Sequence, residues 1–522
     1  MKGTIRLTKQ IYLILALCLI SSVAFFNYAK AAPPPSPTPK YGGIFKFSVA
    51  EPFSLGFPGT MTGQTDGQTS SVCLETLFRF DANANMVPLL ATDWKANPAA
   101  KTITVTLRKG VKFHDGTNFN ASACKWNLDQ YRGGGRPELK KVSSIDVVDE
   151  YTVRLNLSEF DNTIVTSFAN GGDAGRMISP TAFNTNGKAW CEKNPIGTGP
   201  FQFVSWQKEV AIKWKRFDGY WDGKPYLDGI EMLRIAEATV ALMAFKAGDL
   251  HMLTPFSLPS LNDAKALEKE GKYNFAVPPE GQVPALAGYA KDPKSPFADL
   301  RVRQALAYAV DVKTLCSAFG LGYWIVQNQW ATPGTWGYSP NVVGYPYNPQ
   351  KAKDLLAQAG YPNGFKTSAH FWNMTPAYLD EMSAIQLQLK AVGIDVTLDP
   401  LQRPGFAEMA SLGKGWNGIV RMQGFVSPDP LLKYAGVAAG QEFAGVYLPP
   451  EFTALYAQAT SAPDFATKQK LVHQLMKLAT DKYCIAAHLY LQPAPIFKSK
   501  KIHDDLYGVI PFRWLSPKTW LE

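Results

Sequence analysis

The residues of this chain with the most reactive side chains sit in Phe113-His114-Asp115-Gly116, where an imidazole beside a carboxylate could serve acid–base or metal chemistry. The local pattern favours a turn, because Asp-Gly is a strong turn pair and Asp bonds nearby backbone amides. The other histidines, at 251, 370, 473, 488 and 503, form no H-E-x-x-H or paired ligand set, so no metal site is expected. Gly197-Thr-Gly199 could pass for a phosphate loop, yet it has no Gly-Lys-Ser/Thr after it and feeds an alternating strand, Phe201-Gln-Phe-Val-Ser-Trp206. Its glycines and following proline suit a tight turn in which Gly tolerates positive φ. No Gly-x-Ser-x-Gly elbow is present, and Asp504-Asp505 reads as surface charge. The expectation is therefore no catalytic residue, no metal and no cofactor, and a protein that binds rather than transforms.

The elements that would carry such a binding surface can be read along the chain. Ile103, Val105 and Leu107 alternate with polar residues, as do Val153, Leu155 and Leu157, so each run makes a strand with one buried face. Between them Asn120 caps a helix running to about Tyr131, before the Gly133–Gly135 cluster. Asp299 caps a helix whose apolar face is Val302, Ala305, Leu306, Ala309 and Val310. Asn348-Pro349 starts another, with Ala352, Leu355, Leu356 and Ala359 on one face and Gly360 at its end. A helix over about Pro376–Ala391 passes through Gly393 directly into the strand Ile394–Leu398, the join of an α/β layer.

Length and composition set the frame. At 522 residues the chain is too long for one core and suggests about three domains. Lys2, Arg6 and Lys9, an apolar run from Ile11 to Phe26, and Ala29-Lys30-Ala31 read as an export signal covering 1–31, with a retained anchor as the alternative. Cys18 follows Leu17, where lipoprotein processing wants a small residue, and Pro33–Pro39 reads as an extended spacer within 32–40. Removing the signal leaves 49 basic against 43 acidic side chains, a net +6. No Lys/Arg run is interleaved with aromatics, so nucleic acid is not an expected partner. Cys73, Cys124, Cys191, Cys316 and Cys484 remain, and their odd number leaves at least one thiol unpaired in a monomer. Cys73 and Cys124 read as apolar positions of helices.

Six strings in order, Cys73–Asp81, Pro88–Trp94, Leu107–Gly116, Pro195–Phe201 with Tyr220–Pro225, Leu300–Asp311 and Asn348–Gly360, resemble the family 5 extracellular solute-binding proteins from about Tyr41 onward. The resemblance implies an α/β, two-lobed periplasmic-binding-protein-like fold with a hinge and an extra α+β subdomain on the first lobe. It implies lobe I from 41–71, 195–285 and 490–522, the subdomain from 72–194, and lobe II from 286–489. It implies a monomer that hands a small solute to the permease and ATPase of an ABC importer, outside the cytoplasm or held at the membrane surface. Peptide-binding members place an acid four residues before the Pro of an Asp-Pro-like motif. Here that position is Val426 in Gly424-Phe-Val-Ser-Pro-Asp-Pro430, which demotes peptides with a free amino terminus. His251, where the family often has Asp, reads as structural variation.

If Gly418–Val426 is a strand, Arg421, Gln423 and Phe425 share a face able to stack on and hydrogen-bond a small carboxylate or amide. Phe53, Trp372 and Arg403 lie in segments that reach the cleft in similar proteins. The expected solute is polar or anionic: peptide-like, opine-like, an aromatic acid or a metal chelate. A ligand-sensing or chaperone-like module is the alternative of a different class, and a secreted hydrolase a more remote one.

Overall fold

The computed structural model describes residues 38–57, 61, 64–134, 136–169, 174–255, 257–278, 281–373, 376–413, 415–422, 424, 427–438, 443–504 and 515–522. The signal segment and most of the spacer lie outside this set. Lys40–Glu522 form one compact unit.

Three sheets carry the unit. The first has seven strands, in the order Asn274–Ala276, Ile496–Lys498, Met252–Leu253, Ile44–Ser48, Gly229–Leu233, Ala211–Arg216 and Phe201–Gln207. Its central strand Ile44–Ser48 runs parallel to both neighbours. The second has five, in the order Ile394–Leu401, Phe365–Trp372, Ile419–Met422, Ala285–Gly288 and Ala487–His488, with the first three parallel. The third is an antiparallel four-strand sheet of Ala91–Asn97, Thr102–Leu107, Thr152–Leu157 and Val142–Asp149. Strands from both ends of the chain meet in the first sheet, so the layers are interleaved in sequence.

Local chemistry explains the elements. Ile103, Val105, Val153 and Leu155 are fully buried, as alternation requires, against Cys124 and Leu128 of the helix Ala121–Gly133. Asn120, Asp299 and Asn348 each accept a backbone N–H at their helix start. The Asp299-capped helix is shorter than its apolar face suggested. It ends at Tyr308, and Asp311 caps a new helix, Val312–Gly320. Cys73 also departs from expectation, lying in the turn after the short helix Gln64–Ser70. Cys73, Cys124, Cys191, Cys316 and Cys484 are all buried free thiols.

The motif strings of the first half converge on one buried carboxylate. Glu75 Oε1 accepts from Tyr220 Oη at 2.7 Å, while Oε2 accepts from Trp221 Nε1 at 2.9 Å and Thr198 Oγ1 at 2.8 Å. Arg108 stacks over Trp221 at 4.3 Å and donates to the Leu89 carbonyl at 2.7 Å. His114 completes the joint. Its backbone N–H donates to the Gly197 carbonyl and its Nε2 to Gly199 O at 2.8 Å, leaving Nδ1 to face the Cys73 thiol at 3.8 Å. Phe113–Gly116 is the expected turn, with Asp115 accepting from Thr117 and Gly116 at φ 84°.

The reading of Gly197 and Gly199 as positive-φ positions is corrected here, since neither has a positive φ. Glycine is needed because a Cβ at 197 would sit 2.0 Å from Cys73 O and one at 199 would sit 2.7 Å from Val72 O. Those contacts are backbone and cannot swing away. Gly197→Ala is therefore expected to abolish soluble folded protein, whereas Gly223→Ala, at φ 91° with open space around it, should cost about 1 kcal/mol in urea unfolding.

Candidate binding cleft

Two segments cross between the first and second sheets, 277–284 and 492–495, and they are bonded to each other. Gln492 N donates to Gln282 O at 2.8 Å and Leu489 N to Pro284 O at 3.0 Å. Gly281 permits the approach, for a Cβ there would lie 2.3 Å from Gln492 O. A paired double crossing is a hinge of few residues, with prolines at 278, 284, 493 and 495 limiting φ.

Open α/β sheets hold ligands at the carboxyl ends of their parallel strands. Phe53 follows such an end, that of Ile44–Ser48. It is 88% exposed, and its backbone is fixed by donation to Asp66 Oδ1 at 2.8 Å. Trp372 closes the strand Phe365–Trp372, and the exposed Arg403 opens the helix Arg403–Leu412 with its guanidinium 5.6 Å from the Trp372 ring centroid. Met422 ends the third parallel strand, and Gln423, Phe425 and Val426 beyond it lie outside the described residues.

Arg421 is placed differently from an open cleft wall. All four residues of Ile419–Met422 are buried, and Arg421 is fully so. Its Nε and Nη2 each bond a Glu381 oxygen at 2.9 Å, and the guanidinium stacks on Tyr378 at 4.4 Å. Burial works against its charge, but the Glu381 carboxylate outweighs that and raises the guanidinium above its ordinary value. Tyr378 Oη donates to Gln282 Oε1 at 3.0 Å, so the pair braces the hinge.

Asp429 is also engaged. Lys468 Nζ and Thr166 Oγ1 both reach its Oδ2, the latter at 3.1 Å, and Leu431 N donates to Oδ1 at 3.0 Å. Nearby Asn162 donates from its backbone to Thr460 O at 2.8 Å and from Nδ2 to Ala459 O at 2.8 Å and Ala462 O at 3.3 Å. These bonds tie the four-stranded subdomain to helices that pack with the five-stranded sheet.

One cluster went unread in the sequence. His370 Nδ1 lies 2.7 Å from Asp399 Oδ2 and its Nε2 lies 3.0 Å from Ser368 Oγ, the order of a nucleophile, base and acid. Ser368 has one proton, however, and donates it to Asn417 Oδ1 at 2.6 Å. The backbone here is bound into the sheet ladder, so the group staples adjoining strands. Period-two spacing places Ser368 and His370 on one face; the strand pairing that adds Asp399 is tertiary. His251 is structural too, accepting Lys46 N at 3.0 Å through Nδ1. Among the described residues no group of three His, Cys, Asp or Glu could hold a metal ion.

Two lobes joined by a paired hinge, with strand ends as the candidate walls, define a solute-binding protein. Residues 85–441 match the family model of bacterial extracellular solute-binding proteins, family 5 (middle). The chain is 30% identical over 417 residues to the glutathione-binding protein GsiB of Pectobacterium atrosepticum, covering 76% of this chain and 78% of that protein. Its fold is similar to NikA from Brucella suis in complex with Fe(III)-EDTA, with a TM-score of 0.76, 23% identity, and 91% and 100% of the two chains covered. It is similar again to DppA from Helicobacter pylori in complex with the peptide STSA, with a TM-score of 0.72, 24% identity, and 92% and 99% covered. The chain belongs to the family 5 bacterial extracellular solute-binding proteins, the substrate-binding components of ABC importers. No helix among the described residues is long and apolar enough to cross a membrane.

Proposed function

We propose that this protein captures a small anionic, peptide-like solute between its lobes and delivers it to its importer as an exported monomer. The lobes are taken as 41–71, 195–285 and 490–522 against 286–489, with 72–194 as the subdomain. Phe53, Trp372, Arg403, Gln423 and Phe425 are proposed as the walls, with Arg421 behind them. The observation that supports this reading is that the motif position which holds an acid in peptide binders is uncharged here, and that the neighbouring acid is already engaged. Val426 has no charge, and Asp429, the acid of that loop, already bonds Lys468, Thr166 and Leu431. A buried ammonium without a counter-charge is strongly disfavoured. The similarity to a glutathione-binding protein, whose ligand's ammonium carries its own α-carboxylate as counter-charge, and the net positive charge favour an acidic peptide derivative over an opine-like acid or a metal chelate.

The test is calorimetric titration of protein denatured and refolded to strip carried solute, against glutathione, N-acetylated acidic dipeptides, free neutral dipeptides and ferric EDTA. Acidic or blocked peptides should bind at least tenfold more tightly than free neutral dipeptides, about 1.4 kcal/mol. Val426→Asp should narrow or invert that ratio. Preferred binding of free neutral dipeptides by the unaltered protein would refute the solute class.

A further inference from the structure

The segment 160–169 belongs to the four-stranded subdomain, whose core holds Ile164, Val165 and Phe168. The helices Pro430–Ala438, Pro450–Thr460 and Phe465–Lys477 belong to another body, for Leu431, Phe452 and Val472 share a core with Ala285 and Val420 of the five-stranded sheet. The two cores are separate, and the bonds that join them are polar. Asn162 N donates to Thr460 O at 2.8 Å, and its Nδ2 donates to Ala459 O at 2.8 Å and Ala462 O at 3.3 Å. Thr166 Oγ1 donates to Asp429 Oδ2 at 3.1 Å. Beside these bonds lies a cavity lined by Phe80 and Trp94 from one side and by Trp336 and Phe465 from the other, so the facing apolar surfaces are not packed as a core.

Both ends of the contact are set for it. Asn162 stands at the N-cap of the short helix Thr163–Thr166 yet makes no side-chain cap bond there, and Thr163 N donates instead to Asp161 Oδ1 at 2.9 Å. The Asn162 amide serves the C-terminal carbonyls of Pro450–Thr460, which a helix leaves without partners of its own. On the other side Asp429 is held by Lys468 and by Leu431 N, both of its own body. The subdomain is meanwhile fixed to the seven-stranded sheet. Glu75 bonds Thr198, Tyr220 and Trp221, and Gly199 N and Phe201 N donate to Cys73 O and Val72 O at 2.9 and 3.1 Å. A rotation about the crossings at 277–284 and 492–495 that separates the two large sheets must therefore break this buried joint or the Asn162 and Thr166 bonds. The second course is the easier one, because groups that part into water exchange one hydrogen bond for another, whereas the joint holds a buried carboxylate network.

We propose that Asn162 and Thr166 form a clasp, which joins the subdomain to the second lobe when the lobes are closed and releases when they open. This rests on the lobe division given above and not on the class of solute. The subdomain is then a part of the closing mechanism, and the clasp sets the ratio of closed to open protein and with it the affinity for solute.

Spin labels at Glu159→Cys and Gln458→Cys, both exposed positions, flank the contact, while Cys73, Cys124, Cys191, Cys316 and Cys484 are buried and escape labelling. Double electron–electron resonance on the exported protein, as isolated and after stripping of carried solute, tests the clasp without a chosen ligand. A short distance should be present. Asn162→Ala/Thr166→Val removes three side-chain hydrogen bonds and should lower the ratio of short to long distances about tenfold or more. Thr166→Ser, which keeps the hydroxyl, should retain the natural ratio. Absence of the short distance from both preparations would overturn the proposal. So would a double variant that keeps the natural distances while melting at a lower temperature, for the bonds would then be permanent ties.

Discussion

Arg421→Met is expected to lose about 3–5 kcal/mol of unfolding free energy, because it strands the Glu381 carboxylate in a dry interior. Both side chains are at or below 1% exposure and share two 2.9 Å hydrogen bonds. The loss also removes the cation from the face of Tyr378, whose hydroxyl is bonded to Gln282 in the hinge crossing. Solute affinity should therefore fall together with stability. Arg421→Lys should recover little, since one ammonium cannot reproduce the two-pronged contact. The double variant Arg421→Met/Glu381→Leu should regain most of the stability, because two apolar residues leave no buried charge behind. Urea unfolding of the three variants decides the matter. A loss below 1 kcal/mol in Arg421→Met would show that Glu381 finds another partner. A double variant as unstable as the single one would mean that packing, not charge, holds this layer.

Replacing Glu75 should produce a loss of similar size with a distinct pH signature. Glu75→Ala leaves Tyr220, Trp221 and Thr198 without an acceptor in a buried joint, and about 3–5 kcal/mol should be lost. Burial raises the Glu75 carboxyl to about 7 in spite of its three donors and Arg108. Its contribution to stability is thus full below about 4.5, the unfolded value, and is lost as pH rises through about 7. His114 has the opposite sign. Burial lowers it to about 4, so its contribution is present above 6.5 and is lost as pH falls through about 4. Each slope is about 1.4 kcal/mol per pH unit, so the two largely cancel between pH 4.5 and 6.5 in the natural chain. Glu75→Gln should unmask the histidine slope: its stability should climb with pH over that window by up to about 3 kcal/mol relative to the natural protein. Urea midpoints at half-unit pH intervals measure this. Parallel profiles for the two proteins would show that Glu75 is ionised throughout, held so by its donors.

Much of the local structure was legible from residue order. Asn120, Asp299 and Asn348 are caps because an Asx side chain reaches its own helix's free amides within three residues. Ile103–Leu107 and Val153–Leu157 alternate because period two is a property of the strand itself. The reading of the Asp299-capped helix overran to Val310 for a related reason. Apolar spacing continues through Ala309 and Val310, but Asp311 can cap only the helix after it.

The motif strings gave the family and the lobed fold, and they were rightly read as scaffold. Their meeting point could not be seen. Glu75, Thr198, Tyr220 and Trp221 are up to 146 positions apart, and nothing in any one string says that a carboxylate awaits three donors. Glycines 197 and 199 were assigned the wrong virtue for the same reason, since the obstacle to a side chain is the backbone of residues 72 and 73.

For the cleft, the family resemblance supplied the segments of Phe53, Trp372 and Arg403, and the sequence the uncharged Val426. Alternation marked Arg421 as sharing a face with Gln423 and Phe425, yet whether a strand face meets solvent or a helix depends on what folds over it. Here Glu381 and Tyr378 cover Arg421. Sequence alone determined those features whose partners lie within a few residues: caps, alternation, turns and the family strings. Tertiary structure alone decided which charges are paired, which glycines are obligatory and where the cavity lies, because each depends on a neighbour brought in from elsewhere in the chain.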